Sequence, residues 1–400
     1  MTDDLDVIKE EVFNILHGRI KEQLREIIKE LYRNPEVGGE EFNSSDLLIR
    51  VLSDWEFDTK RGVAELPTAF VGTFCAGQNS KPKIAFMAEY DALPVLGHAC
   101  GHNVSCTASV GAAMSFAMCL KKWRLDGTAI VLGTPGEENL GGKVDLLEAG
   151  VFKDIDAAMM IHSSDKWLLD PKVMALDALE LNFKGKAAHA AGAPEKGINA
   201  LDAINLTFSG INCLRQHIMD GCRIHGIITK GGDAPGIVPE TAAARIYIRA
   251  INSEYLADLS QRVKNCARGA ALATGCTLEI SSFEHHTDSL KSNHTILDLF
   301  ATNLGRLIKQ DNIIRSEPKN WASTDAGNVS YAVPTIHPLM AVAPDGVEIH
   351  TPEFAEATIT AQSVEAATIS AYAMACTALD LAIRREIWDA IKEEFGESGR

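Results

Sequence analysis

Residues 89 to 103 read EYDALPVLGHACGHN. The stretch sets Glu89, Asp91, His98, Cys100 and His102 among turn-forming Gly and Pro. Imidazole, carboxylate and thiolate together suit zinc, manganese or cobalt better than magnesium or calcium. Three more stretches carry the same residue types: GTPGEE supplies Glu137 and Glu138, AMMIHSS supplies His162, and GVEIHTPEF supplies His350. One divalent ion can polarise a carbonyl and acidify a water, and two ions about 3.5 to 4 Å apart can hold that water between them. Such a site also needs a carboxylate left off the metal, a base toward water and later an acid toward the leaving amine. Glu137 and Glu138 can divide that labour, because adjacent side chains point in different directions.

Taken singly, each residue has an ordinary explanation. A Glu–Glu pair is commonly a solvated surface. A strand-end histidine such as His162 is commonly a hydrogen-bonded structural residue. Cys100 alone reads as a small buried hydrophobe, Asp91 before Ala-Leu-Pro as a turn cap, and His350 as a loop residue. Their joint placement at the ends of successive strands points to a site.

The elements that must position them follow from the pattern. PKIAFMAEYDALP is a short apolar run ending in polar residues, a buried strand feeding a loop. GTAIVLGTPGEE repeats that pattern, and DAAMMIHSS does so again. NVSCTASVGAAMSFAMCLKKW predicts a packed helix, and EQLREIIKELYR a helix stopped by RNPEVGGEE. Strands alternating with helices predict an α/β fold with a central mixed sheet, hydrolase- or phosphorylase-like, and chemistry at the strand ends. Residues 178–286 read as strand, helix, two strands, helix, strand, a ferredoxin-like unit. That predicts an inserted domain at 178–286 and a discontinuous catalytic domain at 1–177 and 287–400. Insertions are tolerated where their ends lie close together at the surface.

The bulk numbers narrow the function classes. With 400 residues, about two domains are expected. A formal charge of -16 argues against nucleic-acid and anionic-membrane partners. MTDDLDVIKE lacks a basic segment followed by an apolar run, so no secretory signal is expected. No apolar stretch is expected to reach the roughly 18 residues of a membrane helix. Nine scattered cysteines without a CxxC pair fit a reducing cytoplasm better than a disulfide framework.

The motifs EYDALPVLGHACGHN, GTPGEE, MMIHSS, GKAAHAAGAPEKGINALDA and GVEIHTPEF together resemble the amidohydrolase branch of the aminoacylase/carboxypeptidase metallopeptidase family. YRNPEVGGEEF and STDAGNVSYAVPTIHP also fit, so the resemblance runs from roughly residue 20 to 385. It implies a metal-dependent hydrolase of N-acyl or N-aroyl amino acids or dipeptides, with two divalent ions and an inserted lid through which two copies dimerise. Carried over by motif, Cys100, His102, Glu138, His162 and His350 would bind metal, with Cys100 as the bridging thiolate. Glu137 would be general base and acid, and Asp91 would orient a metal-binding group. His189 in the lid would reach a partner subunit's site and stabilise the oxyanion. Gly236 stands where relatives usually have Asn, which removes a lid amide facing the substrate. Arg249 would pair with a substrate carboxylate or with an ordinary surface carboxylate, and His225 also sits on a lid strand. A true dipeptidase and a metal-binding relative without turnover are the alternatives.

Overall fold

The computed structural model describes residues 2–321 and 323–397. Fourteen strands lie among them: β1 Asp58–Arg61, β2 Phe70–Ala76, β3 Lys83–Ala88, β4 Gly127–Gly133, β5 Ala157–Met159, β6 His162–Ser164, β7 Trp167–Val173, β8 Ala175–Lys184, β9 Arg223–Lys230, β10 Thr241–Ala250, β11 Thr277–Ser282, β12 Ile313–Trp321, β13 Thr335–Ile336 and β14 Leu339–Ala341. By contact the chain divides into two compact units. The first comprises Met1–Pro171, Lys291–Lys319 and Asn328–Arg400, and the second Lys172–Leu290 with Asn320–Gly327.

In the first unit a six-stranded sheet runs β1–β2–β4–β3–β5–β13. β1, β2 and β4 pair antiparallel, whereas β4, β3, β5 and β13 are parallel. β3 and β4 are apolar runs buried on both faces, the pattern expected of covered parallel strands. A smaller sheet runs β12–β7–β14–β6. DAAMMIHSS is not one strand as its sequence suggests. It splits at Met160–Ile161 into β5 and β6, which lie in different sheets. The backbone nonetheless stays extended along one neighbour, since Met160 N–H donates to Ile336 O at 3.1 Å and His162 N–H to Pro338 O at 2.9 Å.

Two helices fill the core beside the sheet, His102–Trp123 and Ala361–Ile383. Both are long and apolar enough to cross a bilayer, contrary to the sequence expectation, but 94% of each apolar window is buried inside the protein. Small residues let them approach closely. A Cβ at Gly111 would lie 3.2 Å from the Ala371 Cβ and 3.1 Å from Leu24 Cδ2.

The second unit is a four-stranded antiparallel sheet in the order β11–β8–β10–β9, with helices Ala200–Leu214 and Ser253–Thr274 between its strands in the chain. β10 alternates buried and mostly half-buried side chains, so one face packs on the helices. Asn199 and Asn252 cap the two helices by accepting backbone N–H groups of their first turns. The unit extends beyond 178–286 because β8 pairs with β10 from Ala175 onward and Leu176 bridges Thr287.

Candidate metal centre

β3, β4 and β5 are parallel, so the loops after them leave the same edge of the sheet. After β3 the chain gives Glu89 and Asp91, then turns back through Cys100 into the helix that starts at His102. Gly101 makes that turn at φ +79°, and a Cβ there would lie 2.4 Å from Ser163 Cβ. Glycine thus lets the Cys100–His102 loop press onto β6, which begins with His162. Ser163 Oγ ties the two by donating to Gly101 O at 2.8 Å. His350 reaches the same place with a left-handed backbone, φ +65°, held by its N–H donating to Ala99 O at 2.8 Å.

The side chains converge. Cys100 Sγ lies 3.4 Å from His162 Nε2 and 3.4 Å from His350 Nε2. His350 Nε2 lies 3.4 Å from Glu138 Oε1. The ligand atoms of Cys100, His102 and His162 lie within 4.8 Å of one another, as do those of Cys100, Glu138 and His350. Cys100 belongs to both groups. Glu137 offers a carboxylate oxygen within 4.8 Å of His102 and Glu138.

Hydrogen bonds orient the ring nitrogens. His102 Nδ1 donates to Asp91 Oδ1 at 2.9 Å and to Asp91 O at 3.0 Å, which leaves a lone pair on Nε2. His162 Nδ1 donates to Ser163 O at 2.8 Å, with the same result. The other Asp91 oxygen, Oδ2, accepts the Glu138 N–H at 2.9 Å, so one carboxylate positions two of the converging residues. Glu41 holds the Glu137–Glu138 loop from the far side, accepting the Gly136 N–H at 2.8 Å.

The electrostatics are those of a cation site. His102 Nε2, Glu89 Oε1 and Glu138 Oε1 are buried without a hydrogen-bond partner, and all three turn toward the cluster. Buried polar atoms left this way are costly unless something satisfies them. Burial pushes the Cys100 thiol well up. Burial opposes charge on His102, but Glu89, Cys100 and Asp91 outweigh it and push its pKa well up. Burial also opposes charge on Glu138, but the nearby His350 and His102 rings bring it down to about 2. A divalent ion would take the place of these protons. The donor set of thiol, imidazoles and carboxylates therefore fits such an ion.

Seven of the predicted residues, Asp91, Cys100, His102, Glu137, Glu138, His162 and His350, meet here. His189, His225 and Arg249 lie in the second unit. His189 is exposed, and its Nδ1 accepts the N–H groups of Ala191 at 3.3 Å and Gly192 at 3.0 Å. Its loop bridges Ile237, beside Gly236. His225 is exposed on β9 against the Tyr247 ring at 5.5 Å, and burial, then Arg249, lowers its pKa. Arg249 donates to Ser323 Oγ at 2.8 Å and lies over the Tyr247 ring.

Sequence reasoning left three neighbours without a role. Glu89 was visible at the strand end. Lys143, fully buried and 2.9 Å from Glu89 Oε2, follows GTPGEE by a few residues and reads as an ordinary polar start of a helix. His337 stacks on His162 with ring centroids 5.9 Å apart, and burial, then His162, lowers it to about 4. Its signal was the strand-end PTIHP.

Residues 85–373 match peptidase family M20/M25/M40. This chain belongs to that family. The matched span runs from β3 into the Ala361–Ile383 helix and contains all the converging residues. As an M20-family member the chain is a metal-dependent hydrolase. It is 35% identical to the Xaa-Arg dipeptidase of Mus musculus, over 94% of this chain and 89% of that protein. It is 34% identical to one of the subunits of p-aminobenzoyl-glutamate hydrolase of Escherichia coli, over 72% of this chain and 63% of that one. The fold resembles the YXEP protein of Bacillus subtilis, a dinuclear metal-binding M20 peptidase, with TM-score 0.68 and 20% identity over 90% of this chain and 99% of that one.

Proposed function

We propose that this M20-family chain hydrolyses the amide bond of a dipeptide, or of an N-acyl or N-aroyl amino acid, at a centre of two divalent ions, zinc, manganese or cobalt. One observation carries the reading: two ligand groups, Cys100/His102/His162 and Cys100/Glu138/His350, share a single thiol. Bound ions supply Lewis acidity toward the amide carbonyl and lower the pKa of water. The chain's own groups do the rest. Cys100, as thiolate, would serve both ligand groups. Asp91 keeps the His102 proton on Nδ1 and so keeps Nε2 available. Glu137, beside the ligands, takes a proton from water and later gives it to the leaving amine.

His189 is the donor toward the oxyanion, contributed to a second copy's site. Because its Nδ1 accepts two backbone N–H groups, the neutral ring carries its proton on Nε2. Dimerisation through the second unit is supported by its edge strand β9, where Ile227 is 64% and Ile228 44% exposed. Arg249 and His225 hold the substrate carboxylate. Dipeptides rank first because the mouse dipeptidase matches nearly all of this chain. The protein acts in a reducing cytoplasm, where its nine free cysteines persist, without nucleic-acid or membrane partners.

The test is dialysis against a chelator, then restoration with zinc, manganese or cobalt, assayed on dipeptides beside benzoyl- and aminobenzoyl-amino acids. Loss and recovery of hydrolysis support the reading, and the preferred panel fixes the substrate class. Full hydrolysis by a preparation free of metal overturns it.

A further inference from the structure

Glu89 is fully buried and belongs to neither group that shares Cys100. Its Oε1 lies 3.4 Å from His102 Nε2 and 3.7 Å from His162 Nε2. Because the Nδ1 protons go to Asp91 and to Ser163 O, each ring can turn an Nε2 lone pair toward a cation. Three acceptor atoms therefore face one another, and neither Glu89 Oε1 nor His102 Nε2 has a hydrogen-bond partner. That arrangement is repulsive when nothing positive lies among the atoms, and a cation turns it into attraction. Without a metal, a proton on His102 answers the Glu89 charge across this 3.4 Å gap, and a divalent ion would take that proton's place.

Lys143 explains how Glu89 keeps this pose. Its Nζ, also fully buried, grips Oε2 at 2.9 Å, which fixes the carboxylate plane and leaves Oε1 turned to the imidazoles. The two charges cancel, so the carboxylate adds an oxygen donor without adding net charge. A buried ion pair gives little net stability, so its placement against two imidazoles calls for another reason.

We propose that Glu89 is a fourth protein ligand to the ion held by Cys100, His102 and His162. This deepens the dinuclear reading and rests on it. The two ions then occupy unequal sites. One is closed by four protein groups, the arrangement of tightly held tetrahedral ions. The other has Cys100, Glu138 and His350, with His350 47% exposed, and keeps a position open. The first site would hold its ion more firmly than the second.

Cobalt(II) titration of the metal-free full chain tests this, read by visible absorption and by metal analysis after gel filtration. Wild type should bind two ions in unequal steps, the tighter giving the intense bands of four-coordinate cobalt. Glu89→Gln should weaken that tight step by about 100-fold, the upper range seen when a group supporting a metal is lost. Glu89→Asp should fall between, and Glu138→Gln should keep the tight step while losing the weaker one. Two equal steps in wild type, or an unchanged tight step in a folded Glu89→Gln variant, overturn the assignment of Glu89 and leave the dinuclear reading standing. Should Glu89→Gln not fold, the wild-type steps and Glu89→Asp decide. Wild type that binds no cobalt overturns the dinuclear reading itself.

Discussion

Asp91 accepts the His102 Nδ1 proton at 2.9 Å and, through its second oxygen, the Glu138 N–H at 2.9 Å. One buried carboxylate thus sets the tautomer of one proposed ligand and the backbone position of another. Asp91→Ala should lower metal affinity by about 10- to 100-fold, because an oriented imidazole is lost while every ligand atom remains. Competition with a chromophoric chelator measures it. An affinity equal to wild type would remove the orienting role.

Glu137 stands in sequence beside Glu138, and its carboxylate lies within 4.8 Å of a His102 ring nitrogen. Glu137→Gln keeps size and hydrogen-bonding reach but cannot accept a proton. It should retain the metal content of wild type, with kcat lowered by about 100- to 10,000-fold and KM little changed. A variant that loses metal would instead make Glu137 a ligand.

His189 presents its donor nitrogen from an exposed loop of the second unit. If that nitrogen serves a second copy's site, His189→Ala should reduce kcat by about 100- to 1,000-fold, the usual effect of losing one oxyanion donor. Specific activity of wild type should also fall on dilution below the dimer dissociation constant. Concentration-independent activity in a proven monomer would rule the role out.

Several of the converging residues were legible because strand, turn and side chain fall within one local window, as for Asp91 in EYDALP and Glu137 and Glu138 in GTPGEE. The partnership of Glu89 with Lys143 was not, because they are 54 positions apart and nothing local marks a lysine as fully buried. Gly101 carried a partial signal: a glycine between Cys100 and His102 implies a tight turn, but not that β6 fills the space its side chain would need. The helix read from NVSCTASVGAAMSFAMCLKKW is packed as expected, and its burial explains why it is also long and apolar enough to cross a bilayer. His102–Trp123 is buried on almost every face, so it shows no amphipathic stripe, and its length and apolarity are those of a spanning helix. The break between β5 and β6 was hidden because the apolar run continues unchanged while the sheet partner changes.

In the second unit His286 donates from Nδ1 to Asp177 Oδ1 at 2.7 Å and from Nε2 to Asp288 Oδ1 at 3.2 Å. These two hydrogen bonds raise its pKa to about 9. The folded state therefore holds a proton that the unfolded chain releases near an ordinary histidine pKa of about 6.5. The stabilisation is complete below about 6.5 and is lost as pH rises through about 9. Melting temperatures of wild type and His286→Gln should differ most near pH 6 and converge by about pH 10. A gap that stays constant across that range would show that the ion pairs do not contribute.

Lys9 is buried and reaches both Asp380 oxygens, at 2.8 and 2.7 Å, and Asn303 Oδ1 at 2.9 Å. Asn303 in turn donates to Asp380 at 2.8 Å and to Thr377 at 3.2 Å. The network pins the Thr2–Ile15 helix to the Ala361–Ile383 helix at the heart of the first unit. Lys9→Met leaves the Asp380 charge buried and unpaired, so it should destabilise the protein by about 3 to 5 kcal/mol. The double variant Lys9→Met/Asp380→Leu removes both charges and should recover most of that loss, because well-packed apolar groups replace buried ion pairs at little cost. Urea unfolding of the two variants beside wild type measures both numbers. A double variant as unstable as Lys9→Met would mean that the salt bridge fixes the helix packing itself and that its charges are not the source of the cost.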